Sequence, residues 1–209
     1  MRKNEKCTLR VLVVFAHPTR ESFCGSILKE ILDELSFAGH HAEVLDLYAE
    51  KFDPVMPKTE WQAYERSASH EIQRYVDQIR ASDALIWVFP TWNYGLPAIL
   101  KGYVDRIWKP TVAFRLDEYR NVIFDSFDNL RFFLVATTYG AGWLSNIFVG
   151  NPCKRVLSRC LRRHFSSNSK FVWLALYGLD KPSSRSLHRF LRKVRLAVRS
   201  NSAHSRADI

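Results

Sequence analysis

Residues that staple or break a fold are scarce in this 209-residue sequence, which holds 4 cysteines, 8 glycines and 8 prolines. Cys7, Cys24, Cys153 and Cys160 form no C-x-x-C pair and no metal-ligand spacing. That argues against a disulfide framework and a zinc site, and predicts free thiols in a reducing compartment with no metal. No apolar run approaches the roughly 20 residues needed to span a bilayer. Met1-Arg2-Lys3 looks like a signal-peptide start, but the run Val11 to Ala16 is too short for its apolar region and ends in His17-Pro18. It reads instead as a buried strand of a cytoplasmic protein. The absence of G-x-G-x-x-G and of G-x-x-x-x-G-K-S/T argues against a conventional Rossmann dinucleotide site and removes a P-loop. His40-His41 reads as a solvated turn, because adjacent side chains diverge.

Acidic residues are scarce in the last quarter. Residues 154–209 carry 14 Lys and Arg against Asp180 and Asp208, whereas residues 1–153 carry 17 against 19. A basic appendage therefore follows a near-neutral domain. The length fits one domain, assigned here to 1–200, with 201–209 as a disordered tail.

What is present alternates between two periods. Leu9–Ala16, Ala42–Leu47, Asp83–Phe89, Arg131–Thr137 and Phe171–Tyr177 are short, mostly apolar runs that read as strands, the third ended by Pro90. Helical spacing links Ile27, Leu28, Ile31, Leu32 and Leu35, with Gly39 as the cap. Residues 48–60, with Pro54 and Pro57, read as a loop, and 61–80 as a helix. Pro97 opens a helix with Leu100, Val104 and Ile107 inward. Residues 109–130 read as a long connection, Val156 to Phe165 as a helix, and Leu187 to Val194 as the last helix. Five apolar strands separated by helices predict an α/β doubly wound parallel sheet. A ligand would sit outside the carboxyl ends of its strands, at the topological switch point.

Three loops lie there. In the first, 17–25, Ser22 and the helix N-terminus offer an anion site; Ser22 as a plain N-cap and His17 as a plain loop residue are the alternatives. The second, 90–97, sets Trp92 and Tyr94 between two prolines, a stiff wall suited to a planar heteroaromatic ligand or simply a structural anchor. The third, 137–143, joins Thr137, Thr138, Tyr139, Gly140, Gly142 and Trp143, with glycines that permit close main-chain approach.

The runs PTWNYGLPAILKGYVDRIWKPTVAF (90–114), HPTRESFC (17–24) and DLYAEKFDPVM (46–56) closely resemble the flavodoxin-like NAD(P)H:quinone oxidoreductases. The resemblance covers most of residues 9–165 and implies a flavodoxin-like fold holding FAD, or FMN as the alternative, in a homodimer with shared sites. It places His17, Ser22, Phe23 and Cys24 on the flavin phosphate side. Pro90, Thr91, Trp92, Asn93 and Tyr94 fall along the isoalloxazine, and Thr137, Thr138, Tyr139, Gly140 and Gly142 at its pyrimidine end. Tyr94, Tyr139 and Trp143 are the candidate pocket walls. The implied chemistry is a ping-pong cycle, with hydride passing from NAD(P)H to the flavin and two electrons onward to a quinone-like acceptor.

Two departures stand out. Where the family's animal-type members carry a tyrosine and a histidine assigned to proton relay, an ungapped count reaches Ser145 and Asn151, so no catalytic residue is carried over. Tyr139 also replaces the first glycine after the threonines. A regulatory subunit of a membrane transport protein is the alternative reading, and the basic last quarter suits weak contact with an anionic membrane surface. Nucleic acid is suggested by charge alone, and no motif supports it.

Overall fold

The computed structural model describes residues 8–64, 70–110, 112–116, 122–123 and 127–203. Met1-Arg2-Lys3, Cys7 and the last six residues of the expected tail lie outside them. β1 (Arg10–Phe15), β2 (His41–Asp46), β3 (Ala84–Thr91), β6 (Phe132–Tyr139) and β7 (Lys170–Leu176) form one parallel sheet in the order β2-β1-β3-β6-β7. Every residue of β3 and β6 is buried, which is why these strands show no polar alternation in the sequence. The chain order reverses between β1 and β3, so the switch point lies where the first two loops emerge.

Helices cover both faces. On one side α1 (Phe23–Ala38) and α7 (Ser184–Ser202) press Ile27, Ile31, Phe190 and Val194 onto the sheet. On the other, α3 (His70–Arg80) and α4 (Ala98–Ile107) contribute Ile72, Val76, Leu100 and Tyr103. Gly39 caps α1 in the left-handed conformation, as its position in the sequence predicts.

Several boundaries differ from the sequence expectations, each for a tertiary reason. Pro90 does not end β3, which runs on to Thr91 and pairs with β6 through Pro90↔Thr138 and Thr91↔Tyr139. Proline is tolerated because pairing with β1 stops at Val88, whose carbonyl accepts from Ala16 N at 3.0 Å. The missing N–H of Pro90 thus faces the side where no partner strand continues.

The helix expected over 61–80 is two helices, α2 (Lys58–Gln62) and α3, with 65–69 outside the described residues. α2 starts inside the stretch read as loop because Glu60 turns inward to Arg106 of α4. Arg106 Nη2 and Nε donate to Glu60 Oε2 at 2.8 and 3.1 Å, and Nη1 donates to Asp53 O at 2.6 Å. Both side chains of this ion pair are buried, where loss of one partner is costly.

The connection 109–130 contains a two-residue antiparallel pairing of β4 (Arg115–Leu116) with β5 (Val122–Ile123). The single helix expected over 156–165 is a chain of short pieces. α5 (Trp143–Phe148) and α6 (Pro152–Arg155) precede a π-turn over Val156–Cys160 and a 3-10 turn over Leu161–His164. α7 extends through Asn201 and Ser202, two residues into the expected tail, and Ser202 is 6% exposed. His41 opens β2 rather than lying in a turn, and His40 Nδ1 accepts from Leu9 N at 3.2 Å.

Candidate functional site

At the carboxyl edge of the sheet the loops close around a cleft of about 630 Å³. His17, Ser22, Phe23 and Cys24 line it from the first loop, and Pro90, Thr91, Trp92, Asn93 and Tyr94 from the second. Thr138, Tyr139, Gly140 and Ala141 line it from the third. Leu179 and Asp180, from the turn between β7 and α7, complete it. Those two and Ala141 were not anticipated. Position after the fifth strand was the available signal for Leu179 and Asp180, since that turn also lies at the carboxyl edge, and Ala141 lies within the third loop.

The first loop is internally braced. Ser22 Oγ donates to Thr19 O at 2.9 Å and accepts from Gly25 N at 3.2 Å, so Ser22 is the N-cap of α1. His17 Nδ1 sits 2.8 Å from Thr19 O and 3.1 Å from Thr19 N, which ties the ring to its own loop in either tautomer. Arg20 Nε donates to Asp46 Oδ2 at 2.9 Å and anchors the loop to the end of β2. Cys24 Sγ lies 3.7 Å from Thr138 Oγ1, and burial pushes the Cys24 thiol up to about 11. It is a buried, protonated wall atom rather than a nucleophile.

The second loop is a tight hairpin. Gly95 N donates to Trp92 O at 2.9 Å and Trp92 N donates to Gly95 O at 3.3 Å. Asn93 and Tyr94 both have positive φ, 48° and 60°, the pattern of a type I′ turn. Asparagine tolerates this readily; tyrosine does so at a cost. Trp92 keeps 44% of its surface exposed at the cleft.

Three expected site residues fall elsewhere. Thr137 is fully buried beneath the cleft, where its hydroxyl donates to Phe89 O at 2.8 Å. Gly142 is the N-cap of α5, and Trp143 stands 56% exposed on that helix. Tyr139 lines the cleft, yet its side chain is 2% exposed and stacks on Tyr177 with ring centroids 4.9 Å apart. It therefore supports the cleft from beneath instead of forming an open wall, and burial raises its phenol well above the usual tyrosine range. Ser145 and Asn151 do not line the cleft. Asn151 adopts φ 51° and accepts from Asn146 Nδ2.

A family model described as flavodoxin-like fold matches residues 9–150. The chain belongs to this flavodoxin-like family. Among relatives, the uncharacterized NAD(P)H oxidoreductase YcaK of Escherichia coli is 35% identical over 108 residues, covering 50% of this chain and 55% of the relative. The ribosyldihydronicotinamide dehydrogenase (quinone) of Pongo abelii is 33% identical over 123 residues, covering 50% and 53%. The chain thus spans about half the length of the curated relatives it matches. Among solved structures, Smu.1420 from Streptococcus mutans UA159 superposes with a TM-score of 0.78 at 29% identity, covering 92% of this chain and all of that one. As a flavodoxin-like chain, this protein places its cleft at the sheet's switch point, and among the described residues no His/Cys/Asp/Glu group could hold a metal. No described helix is long and apolar enough to cross a membrane.

Proposed function

We propose that this protein is a flavin-dependent oxidoreductase. It passes a hydride from NAD(P)H through bound FAD, or FMN as the alternative, to a quinone-like acceptor in a ping-pong two-electron cycle. The observation that carries this is the convergence of three loops on one cleft at the switch point of a doubly wound sheet. Relatives named as NAD(P)H oxidoreductase and as a quinone dehydrogenase support the same reaction class.

The residues present fit a flavin. The α1 N-terminus with Ser22 suits a phosphate, and the half-exposed Trp92 with Tyr94 suits a planar ring. Gly140 places no side chain of its own at the far side of the cleft. A bound flavin would supply the two-electron chemistry of both half-reactions. The chain's own task is to hold it: Ser22 and His17 at the phosphate end, Thr91 to Tyr94 along the ring, and Thr138 to Gly140 at the pyrimidine edge. Thr137 supports this set from below, and Gly142 does so by starting α5.

A homodimer belongs to this reading. α5 follows directly on the third loop and exposes Trp143, Leu144, Ile147 and Phe148, the last 92% exposed. A contiguous apolar face of this kind marks an interaction surface. The basic residues of α7, which packs beside α1, suit weak contact with an anionic membrane surface.

The test is to release the cofactor from purified protein, identify it chromatographically, and follow NAD(P)H oxidation with small quinones. FAD or FMN and parallel double-reciprocal lines are expected. A protein that takes up neither flavin refutes the reading; a flavin-loaded protein without turnover favours the regulatory-subunit alternative. Sedimentation equilibrium tests the dimer, and a monomer throughout the working concentration range refutes it.

A further inference from the structure

Asp180 is the single carboxylate among the described residues lining the cleft, and nothing in the flavin assignment so far uses it. Two backbone hydrogen bonds hold its turn. Leu179 N donates to Tyr139 O at 2.9 Å and Gly178 N donates to Ala141 O at 3.0 Å, clamping the chain after β7 onto the chain after β6. The carboxylate then lies directly over Gly140: a Cβ at position 140 would sit 2.6 and 2.8 Å from its two oxygens. Asp180 is exposed, and a side chain at 140 would have to displace its carboxylate from this position.

The position has an electrostatic meaning. Ser22 and the α1 N-terminus follow β1, while Asp180 follows β7. In the order β2-β1-β3-β6-β7 the strand β7 lies three spacings from β1, and the carboxylate folded back over Gly140 at the end of β6 lies two, roughly 10 Å at about 4.8 Å per spacing. One end of the cleft therefore presents N–H groups that favour an anion, and the other a carboxylate that disfavours one. An ionised carboxylate only accepts hydrogen bonds, so the ligand group suited to it is an N–H. The isoalloxazine ring carries one, the imide N–H between the two carbonyls of its pyrimidine edge.

We propose that Asp180 accepts the hydrogen bond of the flavin imide N–H and that its negative charge lowers the midpoint potential of the bound flavin. The inference rests on the flavin reading above. The hydrogen bond orients the ring with its pyrimidine edge toward Gly140. The charge acts because a carboxylate beside the ring opposes the gain of electron density there.

Two substitutions separate the two effects: Asp180→Ala removes the acceptor, and Asp180→Asn keeps an acceptor oxygen while removing the charge. Apoprotein of each form is titrated with FMN and FAD and with the same flavins methylated at the imide nitrogen. Wild type should discriminate against the methylated flavin by roughly tenfold, the scale of one charge-assisted hydrogen bond, and Asp180→Ala should lose most of that discrimination. The midpoint potential of the Asp180→Asn complex, measured by dye-equilibrated reduction, should be more positive than that of wild type. Unchanged discrimination in Asp180→Ala, or an unchanged potential in Asp180→Asn, overturns the proposal. Reduced apoprotein stability with neither readout altered also overturns it, leaving Asp180 as a charge that complements the α7 N-terminus. Wild-type protein that binds no flavin refutes the flavin reading itself, a result obtained before any variant is made.

Discussion

Thr91 Oγ1 and Thr137 Oγ1 lie 2.8 Å apart across β3 and β6, directly under the cleft. Thr137 spends its one hydroxyl proton on Phe89 O, so the proton between the two threonines must come from Thr91. The pair forms a one-way chain from the cleft lining into the sheet. Thr137→Val removes the acceptor that Thr91 uses, leaving a buried hydroxyl unpaired at a cost of about 1–3 kcal/mol. Chemical denaturation should show that loss, whereas flavin titration of the apoprotein should change little, because Thr137 itself does not line the cleft. A large loss of flavin affinity at undiminished stability would return Thr137 to the binding surface.

Tyr94 stores strain where the flavin and its substrates would meet. Its φ of 60° suits glycine better than tyrosine, and such residues cost of order 1–3 kcal/mol. Tyr94→Gly should leave stability unchanged or slightly raised, since the added entropy of the unfolded chain offsets part of the relief. Quinone turnover should fall as the wall is lost. A variant that is both less stable and fully active would show that the ring serves the fold alone.

His164 gives a pH dependence with a definite sign. Its ring is buried in the 3-10 turn, with Nδ1 2.9 Å from Ala113 O, and burial holds its pKa below the ordinary value of 6.5. Between those two values the unfolded chain binds the proton and the native one does not, so stability falls as pH drops from about 7 through that window. Thermal melts from pH 7.5 to 5 should show the decline, and His164→Asn should flatten part of it. An unchanged slope in the variant would assign the decline to other groups.

The basic helix is only partly available. Arg195 and Arg199 pair with Glu30 and Glu34 of α1, so acidic residues of the first three-quarters neutralise part of a face that has no carboxylate of its own between 181 and 199. Arg185, Arg189, Arg192 and Lys193 remain exposed at helical spacing and make no ion pair among the described residues. Weak binding to anionic vesicles is expected at low salt, fading as the Debye length shortens from about 10 Å at 0.1 M. Replacing those four residues by glutamine should abolish it without altering flavin content. Wild-type protein that stays in the supernatant at low salt would show a merely solvated face.

The five strands, the apolar stripes of α1, α4 and α7, and the three loops at the carboxyl edge were all legible in the amino-acid order. Each is written in a local repeat: unbroken Val-rich runs where both faces are covered, and 3.6-residue spacing where one face is. Only the tertiary structure decided what depends on a partner far along the chain. Pro90 stays in β3 because β1 stops two residues earlier. α2 starts at Lys58 because Glu60 meets Arg106, 46 residues away. α1 neutralises Arg199 across 165 residues. Alternation says that Thr137 and Thr138 point to opposite faces, but not which of them meets the cleft; the helices packed on each side settle that. Asp180 enters the site because the turn after β7 is hydrogen-bonded onto the end of β6, which lays its carboxylate over Gly140. Such contacts leave no periodic trace in sequence, since their free energy depends on which surfaces the fold brings together.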